Sequence, residues 1–148
     1  VESARVTLAE ISEPALRVAK QNTANLRLKN RVTAFSVDVL QPAPKFLGQF
    51  DLIVSNPPYV TTKEMATLDV SVWAYEPHLA LEGGEDGLDF YRLIAEKIVP
   101  TLVSGTQLLL EIGDEQGRAV QNLFATCENV QVRQDIYGKD RILIATVA

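Results

Sequence analysis

Asp51-Leu52-Ile53-Val54-Ser55-Asn56-Pro57-Pro58-Tyr59 is the stretch that decides the fold. Asp51 to Ser55 is short and nearly all apolar, as expected of a strand buried on both faces. Such strands belong to mostly parallel sheets covered by helices. Pro57 and Pro58 stop the strand, because each fixes φ and removes a backbone donor.

Working outward, strand and helix patterns alternate. Arg5-Val6-Thr7-Leu8-Ala9 reads as a first strand. Ser12 sits at an N-cap position, Pro14 lies in the first turn, and Ala15, Leu16, Val18, Ala19 and Leu26 suit one helical face, which predicts a helix over about 13–25. Val32 to Ser36 reads as a second strand, and Gln41-Pro42-Ala43-Pro44 marks a loop. Downstream, residues 59–87 read as irregular, and loops of that length tend to be functional. A helix is expected over about 88–102, a turn at Ser104-Gly105, and a fourth strand over 107–112. Another helix opens at Asp114 or Glu115 and reaches about Thr126. Val130 to Gln134 and Arg141 to Val147, separated by Tyr137-Gly138-Lys139-Asp140, suit an antiparallel pair. The alternation implies an α/β domain with a doubly wound, mostly parallel sheet.

Composition bounds the function. The 148 residues amount to one domain, and 47% hydrophobic with 22% charged is ordinary for a globular protein. Cys127 is the single cysteine, so no intramolecular disulfide forms, in keeping with a reducing cytoplasm. No apolar run approaches a membrane span, and no signal peptide is visible at the start. The net charge is −5 with no basic stripe, which disfavours direct nucleic-acid binding and favours a protein or small-molecule substrate. The chain opens on Val1 without a Met and reaches a strand almost at once, so residues upstream are expected.

In open α/β sheets, ligands sit beyond the carboxyl ends of the strands. The first strand ends at Glu10, whose carboxylate can accept from both hydroxyls of a ribose or, alternatively, help cap the next helix. The second leads into Asp38-Val39, where an Asp can accept an exocyclic amine of adenine and Val39 can pack on the ring, or the Asp can simply cap a loop. The third ends in Asn56-Pro57-Pro58-Tyr59, the strongest local signal. Pro57 and Pro58 leave acceptors nearby, namely the Asn56 side-chain oxygen and the Pro57 carbonyl. Two fixed acceptors hold both protons of an NH2 group and aim its lone pair outward, while Tyr59 can stack on a planar amide or base. Methyl transfer from a sulfonium needs such a lone pair in line with the S–CH3 bond. An amide nitrogen is a poor nucleophile, so positioning is the main lever and acceptors favour the charge that develops on nitrogen.

The stretch from Phe50 to Val60 resembles methyltransferases directed at amino and amide nitrogens, which carry an N/D-P-P-Y/F motif. More narrowly it is similar to the HemK-like (PrmC) enzymes, which methylate a glutamine side-chain amide in peptide chain release factors. Tyr75-Glu76-Pro77-His78-Leu79-Ala80-Leu81, Gly83-Gly84-Glu85-Asp86-Gly87-Leu88-Asp89, Leu110-Glu111-Ile112-Gly113 with Gln116, and Tyr137-Gly138-Lys139-Asp140-Arg141 resemble further blocks of that family. The closing β–β pair is similar to the end of Rossmann-like class I methyltransferases, whose last strand inserts antiparallel to its neighbours. The resemblance implies that the chain is a single, partial catalytic domain over 1–148, using S-adenosyl-L-methionine, with a release factor as partner. It implies that Asn56 and the Pro57 carbonyl bind the amide, with Pro58 and Tyr59 completing the motif, that Glu76 orders the substrate site, and that Glu10, Asp38, Val39 and Asn56 contact the cofactor. It also implies that the family's first strand and its D/E-x-G-x-G-x-G loop lie upstream of Val1.

Two other readings use the same residues: an amino methyltransferase of adenine or guanine in nucleic acid, and an inactive fragment. Gly83 to Gly87 does not follow a strand and is expected to be a turn before the next helix rather than a phosphate loop. His78 has no partners at metal-ligand spacing, so no metal is expected. Cys127 reads as a small core residue. Trp73 either covers the site or anchors its loop, and Glu111 either faces the site or caps a turn.

Overall fold

The computed structural model describes residues 3–38, 41, 49–68 and 77–148. They divide into two compact units, Val1–Gly48 and Gln49–Ala148. Val39, Trp73, Tyr75 and Glu76 lie outside the described residues.

The first unit is a β–α–β arrangement. Strand β1 (Val6–Glu10) runs parallel to β2 (Val32–Ser36), with Val6 opposite Val32 and Glu10 opposite Ser36. Between them runs helix α1 (Glu13–Asn25), where the local signals in the sequence put it. Ser12 has extended dihedrals and its hydroxyl oxygen accepts from the Ala15 N–H, while Pro14 occupies the first turn, where no donor is needed. Leu16 and Thr23 are its buried residues. Leu26 caps the helix, and Arg27 follows with φ 57°, the left-handed conformation that closes many helices.

The second unit holds a four-stranded sheet in the order β3-β4-β6-β5. Here β3 is Leu52–Ser55, β4 Gln107–Glu111, β5 Glu128–Gln134 and β6 Asp140–Thr146. The first two are parallel, and β6 is antiparallel to both β4 and β5. The closing strand is thus inserted between two earlier ones, as the final β–β pair predicts. Among the described residues, the unit also holds the α-helices α2 (Thr62–Met65), α3 (Asp89–Leu93) and α4 (Gly117–Leu123). Tyr91, Leu108, Leu110, Ile112, Val120, Phe124 and Leu143 are fully buried in one cluster. Each such side chain contributes about 1.5–3 kcal/mol of apolar burial.

Four expectations are corrected. The apolar strand β3 is not buried on both faces: Leu52 and Val54, which alternate onto one face, are 48% and 69% exposed, while Ile53 on the other packs against the core. The helix expected over 88–102 is α-helical only from Asp89 to Leu93, then π-helical over Ile94–Ile98 and 3-10 over Val99–Thr101. Pro100 explains the break, since it donates no N–H and its ring crowds the carbonyl four residues earlier. The helix expected from Asp114 to Thr126 is shorter, because Gly113 to Gln116 forms a turn first and α4 begins at Gly117. The segment after Tyr59 is not wholly irregular. Thr61 and Glu64 form a reciprocal capping box that starts α2, and His78–Ala80 forms a 3-10 turn.

Candidate active site

Asn56 follows directly on β3, at the carboxyl end of a strand parallel to β4. Its side chain is exposed, whereas Pro57 is buried and Tyr59 half-buried. No described residue donates a hydrogen bond to the Asn56 side chain or to the Pro57 carbonyl. Among the described residues, two acceptors adjacent in sequence are therefore left without a donor, one on the exposed Asn56 and one on the buried Pro57.

The segment after them is held tightly. The Val60 N–H donates to the Leu81 carbonyl at 2.9 Å, the Gly83 N–H donates to the Val60 carbonyl at 2.8 Å, and the Thr62 N–H donates to the Gly84 carbonyl at 2.9 Å. This short parallel bridge between Val60 and Glu82 presses the backbones together. A Cβ placed on Gly83 would sit 2.7 Å from both the Pro58 carbonyl oxygen and the Tyr59 Cα. Gly83 to Gly87 is a turn into α3, as expected, with the Leu88 N–H donating to Asp86. Its glycines also serve close approach to Pro58 and Tyr59, which sequence reasoning missed.

Tyr59 is anchored by the end of β4. Its hydroxyl donates to Oε1 of Glu111 at 3.2 Å, and its carbonyl accepts from Nε2 of Gln116 at 3.2 Å. Burial pushes the Tyr59 phenol above its usual range, and the negative charge of Glu111 adds to this while Arg141 opposes it. The Glu111 carbonyl accepts from the buried Tyr91 hydroxyl at 2.7 Å. Burial also raises the Tyr91 phenol, strongly. Glu111 thus faces Tyr59 rather than capping the turn, which is instead closed by Gln116 accepting from the Gly113 N–H at 2.9 Å. Neither Glu111 nor Gln116 is a neighbour of Tyr59 in sequence, so only the pairing of β3 with β4 brings them there.

In the first unit, Glu10 and Ser36 close the parallel pair at its carboxyl end, and Asp38 follows two residues on. Oε1 of Glu10 accepts from the Ser12 N–H at 2.7 Å, so the carboxylate does help start α1. Its Oε2 accepts from no described residue. The Asp38 carbonyl accepts from the Gln41 N–H at 3.0 Å, and the Val37 N–H donates to the Glu10 carbonyl at 3.2 Å.

Among the described residues no group of histidine, cysteine and carboxylate side chains is arranged to hold a metal ion. Among them, too, no helix is long and apolar enough to cross a membrane. Cys127 packs against the core of the second unit, where burial raises its thiol.

Residues 1–75 match the family described as the methyltransferase small domain. Proteins named release factor glutamine methyltransferase are similar over most of the chain. That of Cereibacter sphaeroides is 44% identical over 92% of this chain and 49% of its own length. Those of Clostridium acetobutylicum and Bacillus subtilis are 37% and 38% identical, over 95% and 99% of this chain and 50% and 51% of theirs. The chain thus spans about half the length of the curated relatives it matches. Among solved structures, a methyltransferase from Pyrococcus furiosus shares the fold with a TM-score of 0.63 and 17% identity, over 97% of this chain and 63% of that one. TrmN from Thermus thermophilus does so with a TM-score of 0.61 and 14% identity, over 97% and 36%. The chain belongs to the methyltransferase small domain family and has the α/β, Rossmann-like fold of class I methyltransferases.

Proposed function

We propose that this member of the methyltransferase small domain family is part of the catalytic domain of an S-adenosyl-L-methionine-dependent enzyme that methylates a glutamine side-chain amide of a peptide chain release factor, in the cytoplasm. The relatives' names support the substrate, and the acceptors at Asn56 and Pro57, which no described residue engages, next to the anchored Tyr59 support the chemistry. That juxtaposition is the observation on which the reading rests.

Asn56 and Pro57 offer two oxygens to the two protons of an NH2 group. An amide so held presents its nitrogen lone pair away from the acceptors. Tyr59 packs on the planar amide, and Pro58 keeps the turn rigid. As the nitrogen gains a bond it becomes more positive, and the same oxygens bind it more strongly than in the ground state. The residues at the carboxyl ends of β1 and β2 fit a nucleoside. Glu10 has one carboxylate oxygen left to accept from a ribose hydroxyl, and Asp38 is the acceptor for the adenine amine. Val39 and Glu76 keep the roles that the family resemblance implies, against the adenine and in the substrate site. S-adenosyl-L-methionine, when bound, would supply a methyl group on an activated sulfonium; the new N–C bond replaces its S–C bond, S-adenosyl-L-homocysteine is the leaving product, and one amide proton is released.

The test is to incubate the whole protein that contains this chain with labelled S-adenosyl-L-methionine and, separately, release factor, RNA and DNA. Label on a release-factor glutamine is the expected result. Label on nucleic acid alone would replace this reading with an amino methyltransferase of adenine or guanine.

A further inference from the structure

We infer that Glu111 and Gln116 are positioning residues that grip Tyr59 at its two ends and thereby set the aromatic wall of the amide clamp. The inference rests on the reading of Asn56 to Tyr59 as that clamp. Glu111 takes the hydroxyl at the tip of the ring, and Gln116 takes the carbonyl of the same residue, each at 3.2 Å. One tether restrains the side chain and the other the backbone, so the ring can neither swing nor slide freely.

Both tethers are themselves fixed. Glu111 ends β4 and pairs with Ile142 of β6, and its carbonyl is held by the buried Tyr91 hydroxyl. The orientation of the Gln116 amide is set by its surroundings. Its oxygen accepts from the Gly113 N–H at 2.9 Å, while its nitrogen donates to the carbonyls of Tyr59 and Gly87, both at 3.2 Å. A flipped amide would aim an oxygen at two carbonyl oxygens and a donor at an N–H, losing all three bonds. Gly87 makes room for this. Its φ is +74°, and a Cβ there would lie 2.4 Å from the Tyr59 carbonyl oxygen and 2.6 Å from the Gln116 nitrogen. One block, from Glu111 to Gln116, therefore joins the Tyr59 segment to the turn before α3. A binding group must be held to about 0.5 Å to act productively, and a hydrogen bond to a carboxylate is of the stronger, charge-assisted kind.

The test measures kcat, the KM for the amide substrate and the affinity for S-adenosyl-L-methionine in the whole protein that contains this chain. Glu111→Ala and Tyr59→Phe should each lower kcat about tenfold, the value of one charged hydrogen bond, with cofactor affinity unchanged. Glu111→Gln retains an acceptor for the hydroxyl and should recover most of the loss. The double variant Glu111→Ala with Tyr59→Phe should be no worse than either single one, because both remove the same bond. Gln116→Glu, which aims a carboxylate at two carbonyls, should lower kcat at least as much. A spectroscopic readout accompanies these: the Tyr59 hydroxyl should ionise at lower pH in Glu111→Gln than in the parent. Additive losses in the double variant, or full kcat in Tyr59→Phe, would overturn the inference. Tyr59→Phe removes a single oxygen atom and keeps the test open if Glu111→Ala fails to fold. Asn56→Ala in the same assay separates the two readings. Loss of transfer there with none in Tyr59→Phe rejects only the positioning, whereas full transfer in Asn56→Ala rejects the clamp itself.

Discussion

Gly83 lies so close to Tyr59 that a side chain on it would strike the Tyr59 Cα at 2.7 Å. The contact is backbone against backbone, so no flexible side chain can give way. It follows from the bridge between Val60 and Glu82, which carries the residues after the Asn-Pro-Pro-Tyr turn alongside the glycine segment. Gly83→Ala should therefore displace Pro58 and Tyr59 or break the bridge. The expected result is a loss of about 1–3 kcal/mol in stability by denaturant unfolding, with a fall in kcat larger than any change in cofactor affinity. Unchanged stability and kcat would show that the segment yields freely.

Tyr91 is fully buried, and its hydroxyl donates to the Glu111 carbonyl at 2.7 Å. Tyr91→Phe keeps the ring and removes the donor, leaving that carbonyl short of a partner. A destabilisation of about 1–3 kcal/mol is expected from the urea midpoint, with the denaturant slope unchanged.

The pH dependence of stability has two limbs of opposite origin. Burial raises Tyr91 and Tyr59 above the ordinary phenol value of 10.0, so the folded state keeps these protons longer than the unfolded chain. Their contribution is fully present below pH 10.0 and is lost as pH rises through the folded values. Asp86, Asp114 and Asp135 move the other way. Arg92 holds Asp86 below the usual 3.8, Lys139 does so for Asp114, and the Lys139 N–H for Asp135. Their contribution is present above 3.8 and lost as pH falls through the folded values, and it is small because these groups are solvated. Unfolding midpoints should thus be flat from about pH 5 to 9 and fall beyond both ends. In Tyr91→Phe the alkaline fall should be shallower; a fall of equal steepness would mean that Tyr91 does not carry it.

What was legible in the sequence was local. Ser12 and Pro14 mark α1 because capping depends on residues three apart. The β–β ending from Val130 to Val147 announces its antiparallel pair, and the sheet order confirms that β6 inserts between β4 and β5. Thr61 and Glu64 spell a capping box in the sequence, but the irregular residues on either side mask it. The π-helical turn over Ile94–Ile98 was hidden, since Pro100 announces that a helix ends but not how the preceding turn relaxes. The exposure of Val54 was hidden because an apolar strand does not say which of its faces is covered.

The site divides along the same line. Asn56, Pro57 and Tyr59 are contiguous, so their chemistry could be read directly. The contact between Tyr59 and Glu111 joins residues 52 apart, and that between Tyr59 and Gln116 residues 57 apart. Both depend on the register of β3 against β4, which no local pattern encodes.

The most direct measurement is methyl transfer by Asn56→Ala in the whole protein that contains this chain, against a release factor, with S-adenosyl-L-methionine binding measured in parallel. Removal of one of the two acceptors should leave cofactor binding nearly intact and lower transfer by at least a hundredfold, the scale seen when a positioned hydrogen-bonding group is removed from a reacting centre. Transfer at the parent rate with cofactor binding intact would contradict the account, because it would show that the Asn56 oxygen does not hold the nitrogen that is methylated.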